Sequence, residues 1–154
     1  MWLLWRISDF VRATRRQMRF GELSRAPLQL LRLEWRGDFV ECDWLARPAD
    51  EWDRDVPQHV SDRNVSEQAL RDAIAVRVLL FDALPGVDAG SLRVFRQSAD
   101  GARDLIITGA VTRVEEVPLN VPSTAMRAKL LGFQFGIEDG TLEALQSEEC
   151  AMSF

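Results

Sequence analysis

From Leu28 to Arg36, and again from Phe39 to Arg47, apolar and polar side chains alternate, with Gly37-Asp38 between the two segments. Successive residues of a strand face opposite sides, so this period predicts two strands joined by a tight turn. A two-residue turn pairs Arg36 with Phe39, Trp35 with Val40, Leu33 with Cys42 and Leu31 with Trp44. Leu31, Leu33, Trp35, Val40, Cys42 and Trp44 then form one apolar face. The other face sets Arg32 opposite Asp43 and Glu34 opposite Glu41. A slip of one residue would turn the apolar set outward, so the register is well specified.

The period changes elsewhere. Over residues 2–20, Leu3, Leu4, Ile7, Phe10, Val11, Thr14 and Met18 fall on one side of a helical wheel, with Arg12, Arg15, Arg16 and Arg19 opposite. Trp2, Trp5 and Phe20 lie off the apolar stripe, and Gly21 ends the predicted helix. Residues 48–64 hold Pro48, Pro57 and many acids without a period, which predicts a loop. Asn64 and Glu67 resemble a capping box, and Pro85-Gly86 is a stop signal. The helix between them carries Leu70, Ala73, Ile74, Phe81 and Leu84 on one face and is apolar nearly all round, as a central helix is.

A second hairpin is predicted from Leu92–Gln97, a loop at Asp100-Gly101 and a strand from Asp104 to Glu116. Gly109 inside that strand points to a bulge or a close backbone approach. A shorter helix follows from Ser123 to Leu131, ended by Gly132, then a strand over Phe133–Glu138 and a turn at Asp139-Gly140. The expected fold is α+β. Its antiparallel sheet is built from two β-hairpins, each followed by a helix (ββαββα), with an N-terminal amphipathic helix. Residues 1–21 form that basic helix, 22–147 a single domain and 148–154 a tail.

Charge adds an asymmetry. The net charge is -5, yet residues 1–20 carry +4, which leaves -9 on the remainder. A basic end on an acidic body often marks a segment that touches something else. The acidic body makes nucleic acid an unlikely partner, although the arginines suit peripheral contact with an anionic membrane. Two cysteines, Cys42 and Cys150, are too few for a secreted disulfide framework. The first apolar residues precede the arginines, contrary to a signal peptide, and no run approaches the roughly 20 apolar residues of a bilayer span. These features predict a soluble, cytoplasmic chain.

Residue types narrow the chemistry further. His59 is the single histidine, Lys129 the single lysine, and tyrosine is absent. Three Cys and His residues cannot fill a four-ligand Cys/His zinc site. There is no Gly-x-Ser-x-Gly elbow and no Gly-x-Gly-x-x-Gly, and glycines 132, 136 and 140 lack the Lys-Ser/Thr of a phosphate loop. No cofactor or metal is expected. Carboxylates remain: Glu34 and Glu41 across the first hairpin, where like charges raise a pKa or hold a hard cation, or the acids of residues 50–62 with His59. Flanking by Arg32 and Arg36 gives the plainer reading of a solvated face. Arg77 projects from the apolar stripe of the central helix and calls for an internal partner, with an anion pocket as the alternative. The Arg36-Gly37-Asp38 tripeptide is read as turn chemistry, and Cys42 as a small core residue.

The function expected from these features is a non-catalytic protein-interaction or assembly module. It docks on a protein partner or a second copy through Trp2, Trp5, Arg12, Arg15, Arg16, Arg19 and Phe20, since Trp and Arg carry much interface energy. The alternative is a carboxylate-based enzyme or a ligand-binding domain using Glu34, Glu41, His59 or Arg77.

Overall fold

The computed structural model describes residues 10–12, 28–49, 55–98, 100–113 and 120–145. Most of the predicted first helix lies outside them; Phe10, Val11 and Arg12 have helical backbone. No described helix is long and apolar enough to cross a membrane.

Strands β1 (Gln29–Arg36) and β2 (Phe39–Leu45) pair antiparallel through the predicted rungs from Arg36 with Phe39 to Arg32 with Asp43. Gly37 opens the turn with φ 60°, a backbone that glycine adopts without a Cβ clash. The expected rung of Leu31 with Trp44 does not form. A bulge between Leu30 and Arg32 sets Leu30 opposite Trp44, so Leu30 packs against the core in place of Leu31. One extra residue in a strand reverses every side chain beyond it.

Helix α1 (Gln58–Ala83) starts six residues before the expected Asn64. Pro57 marks the true start: proline has φ preset near the helical value and no N–H to satisfy. Its carbonyl accepts from the Val60 and Ser61 amides at 3.0 and 3.2 Å. In the first turn Gln58 Nε2 donates to Asp62 at 2.7 Å, four residues on. The polar stretch that lacked an apolar period is therefore partly helix.

Strands β3 (Ala89–Gln97) and β4 (Arg103–Thr112) form the second hairpin, followed by α2 (Thr124–Leu130). Ser123 caps α2 by accepting from the Met126 amide at 3.2 Å, and Gly132 leaves the helix with φ 102°. The predicted final strand is divided into β5 (Phe133–Gln134) and β6 (Ile137–Glu138). β6 turns through Asp139 and Gly140, both with positive φ, into β7 (Thr141–Leu142).

The larger sheet has the order β1-β2-β3-β4-β5. It is mixed, which corrects the antiparallel expectation: β2 and β3 run parallel, with Phe39 beside Ala89 and Leu45 beside Phe95. The two hairpins are joined through the long helix rather than a tight turn, and a connection of that length returns the chain to start in the same direction. Three short strands follow α2, so the order runs beyond ββαββα.

Both helices lie on one face of the sheet. Val40, Cys42, Trp44, Leu92, Val94, Ile107, Val111 and Phe133 meet Leu70, Ala73, Val76, Leu80, Leu84 and Ala128 in a single buried cluster, which Phe10 joins. Gly109 marks a close approach, not a bulge. A Cβ there would lie 2.6 Å from the Phe133 ring of the neighbouring strand.

Arg113, just past β4, closes the far end of α1. Its guanidinium donates to the carbonyls of Phe81 (2.9 Å), Leu84 (2.6 Å) and Val87 (2.6 and 2.9 Å) and lies 5.1 Å from the Phe81 ring centre. Carbonyls at a helix end have no intrahelical partner, and a positive group suits the negative end of the helix dipole. We expect Arg113→Ala to lower unfolding free energy by about 2–4 kcal/mol in urea denaturation, by leaving part-buried carbonyls unpaired. Arg113→Lys should recover little, because an ammonium lacks the planar fork that reaches three carbonyls.

Candidate functional site

The sheet face turned away from the helices carries the chemistry. Strand alternation puts Glu34, Glu41, Ser91 and Ala110 in one row across four strands, and Arg32, Asp43, Arg93, Thr108 and Gln134 in the next. Neighbours along a row are about 4.8 Å apart and the two rows about 6.8 Å apart.

Asp43 is the centre of the charged part. Arg93 grips it with both arms of its fork, Nε to Oδ1 at 2.9 Å and Nη2 to Oδ2 at 2.6 Å. Arg32 Nη1 stands 3.6 Å from Oδ2, and the Asp43 side chain keeps only 6% of its surface exposed. Arg32 also reaches Glu41 at 2.5 Å and Glu34 at 2.9 Å, while Arg36 contacts Glu34 at 3.2 Å. The Arg32 hydrogen bond and charge hold the Glu34 carboxyl below the usual carboxylate range, and Asp43 holds the Arg93 guanidinium above its ordinary value. Glu34 and Glu41 do sit opposite one another, but the guanidinium between them offsets the repulsion.

Next to this lattice lies an open hollow of about 370 Å³, lined by Phe39, Glu41, Gly90, Ser91, Arg93, Thr108, Gly109, Ala110, Gly132 and Gln134. A smaller hollow of about 240 Å³ lies over Arg32, Asp43 and the same Glu41, Ser91 and Arg93. The larger one exists because Ser91 and Ala110, the short pair at one end of their row, are bordered by longer side chains.

The other sequence-derived candidates do not converge here. His59 is exposed in the first turn of α1. Of the acids in residues 50–62, Asp55 and Asp62 are described, and no group of three or more Asp, Glu, His or Cys among the described residues could hold a metal. Arg77 is 8% exposed, donates to the Thr112 carbonyl at 2.6 Å and lies 5.5 Å from the Phe81 ring centre, so its internal partners include a carbonyl and a ring. Burial pushes the Cys42 thiol up to about 12, which keeps it a neutral core residue at pH 7. Arg12 is exposed; Trp2, Trp5, Arg15, Arg16, Arg19 and Phe20 lie outside the described residues.

Behind β2, a second ion pair serves the fold. Arg47 Nε donates to Asp72 Oδ2 at 2.8 Å, with side chains 1% and 4% exposed, and Gln68 Nε2 donates to Oδ1 at 2.9 Å. Burial pushes the Asp72 carboxyl up despite Arg47 and Gln68 drawing it down. Losing one partner of a buried pair strands the other charge. Asp72→Leu or Arg47→Met alone should each cost about 3–5 kcal/mol in chemical denaturation, whereas the double variant should stay within about 1–2 kcal/mol of wild type.

The lattice on the outer face makes a separate prediction. A carboxylate whose pKa is lowered in the fold contributes stability above its unfolded pKa and loses it as pH falls through the folded one. Carbon-detected NMR titration should therefore place the Glu34 midpoint below that of an unfolded glutamate. In Arg32→Ala it should return upward, with the acid-side loss of stability at Glu34 disappearing.

Comparison of the chain with protein-family models, with curated proteins and with solved structures finds no match at any of the three levels.

Proposed function

We propose that this protein is a non-catalytic protein-interaction module, which docks on a partner through the basic side of its N-terminal segment. The observation that supports the reading is the opposed burial of two neighbouring residues. Phe10 is fully buried in the core cluster, and Arg12, in the same helical turn, is exposed. On a helical period Arg15, Arg16 and Arg19 share the side of Arg12. With Phe10 held by the body of the domain, a helical continuation of the segment would leave that basic side for another surface. A complementary partner is acidic, and the net -9 of residues 21–154 makes a second copy one candidate.

Carboxylate chemistry at Glu34 and Glu41 has less support. A general acid needs a raised pKa, and Arg32 holds the Glu34 carboxyl in the opposite direction.

A photo-crosslinking amino acid at Arg15 or Arg16, in the full chain expressed in its native cells, should give one discrete polypeptide adduct. Trp2→Ala/Trp5→Ala should deplete it, and the same label at exposed Arg103 on β4 should not produce it. Identical adducts from all three positions, or none from Arg15 and Arg16, would overturn the docking role.

A further inference from the structure

The hollow on the outer face has a composition that selects among ligands. Its formal charges are already matched: Arg93 commits Nε and Nη2 to Asp43, and Glu41 commits Oε2 to Arg32. Arg93 Nη1 and Glu41 Oε1 make no hydrogen bond to the described residues, and both side chains line the hollow. A carboxylate entering it would meet Glu41, and an ammonium would meet Arg93. Neither sign of charge is favoured over the other.

An apolar ligand fits no better. Glu41, Ser91, Arg93, Thr108 and Gln134, five residues with polar side chains, line the same space. Covering five such groups with hydrocarbon would remove them from water with nothing in return, at about 1–3 kcal/mol each. Yet the hollow is not uniformly polar. The Phe39 ring, the Ala110 methyl and the bare backbone at Gly90 and Gly109 supply an apolar wall and floor.

We propose that this hollow binds a neutral, ring-shaped polyol of monosaccharide size. A hydroxyl both donates and accepts, which suits a hollow lined by both an arginine and a glutamate. A pyranose ring has polar edges and C–H faces, matching a polar rim around Phe39 and Ala110. The volume of about 370 Å³ is at the small end of ligand sites, which span about 300–1,000 Å³. Arg93 and Glu41 are preorganised for the contact, since each is fixed by an ion pair before a ligand arrives. The proposal is independent of the docking role assigned to the N-terminal segment.

The test is an amide ¹H–¹⁵N titration of the full chain with glucose, galactose, mannose and N-acetylglucosamine in turn, and with acetate and methylammonium as charged probes. At least one sugar should give saturable shifts centred on residues 39, 41, 91, 93, 108, 110 and 134. Ala110→Trp, which fills the hollow from its floor, should weaken that binding by at least about tenfold, equivalent to 1.4 kcal/mol, with the melting temperature retained. If that variant does not fold, Ser91→Val and Glu41→Gln each remove one rim contact and should each weaken binding. Three results would overturn the proposal: no saturable shift with any sugar, shifts that survive these substitutions, or tighter binding of acetate or methylammonium than of every sugar.

Discussion

Two neighbouring strands that run the same way cannot be joined by a tight turn, and the parallel pairing of β2 with β3 governs the arrangement of this domain. The chain must leave one end of β2 and return to the other before β3 begins, and α1 makes that journey. At 26 residues α1 is about 39 Å long, whereas the seven residues of β2 span about 23 Å. The helix is therefore longer than the strand that precedes it. Its second half lies over the strands, fixed at one end by Arg113 and in the middle by Arg47 on Asp72.

The first half of α1 is met by the small β6–β7 hairpin. Ser66 Oγ accepts from the Leu142 amide at 2.9 Å. The same hairpin is tied to the sheet: Arg96 donates to the Leu142 carbonyl at 2.7 Å and the Leu145 amide to the Leu105 carbonyl at 2.7 Å. Placing every helix of the described residues on one face leaves the other face to side chains alone. That is why Arg32, Asp43 and Arg93 can form a continuous ionic lattice there and why a hollow stays open beside it.

Local features were legible in the sequence where one short-range rule decides them. The turn at Gly37-Asp38 fixes the first rungs of the hairpin, and Ser123 and Gly132 bracket α2. The bulge at Leu31 does leave a trace, because Leu30-Leu31 sets two apolar residues in succession and shifts the alternation by one, but the trace is a single residue pair inside an otherwise regular pattern. The start of α1 falls in a polar stretch with no apolar period, where Pro57 is the only local signal. Parallel pairing depends on residues 50 apart, such as Asp43 and Arg93, and no local pattern reports it. Half of the candidate site was invisible for the same reason. Glu34 and Glu41 belong to one hairpin, but Ser91, Arg93, Thr108 and Gln134 reach them only through the β2–β3 register.

The missing side chain at Gly109 and the ring of Phe133 occupy one volume between them. Neither position is free to drift alone. A larger residue at 109 displaces the ring, and a smaller one at 133 leaves a void beneath the central strands. Any lineage that enlarged the first would have to shrink the second, so the two positions should vary as a linked pair across relatives of this chain. Pairs of that kind, a glycine on one strand and an aromatic on the next, would identify the same packing in sequences too diverged to align by eye.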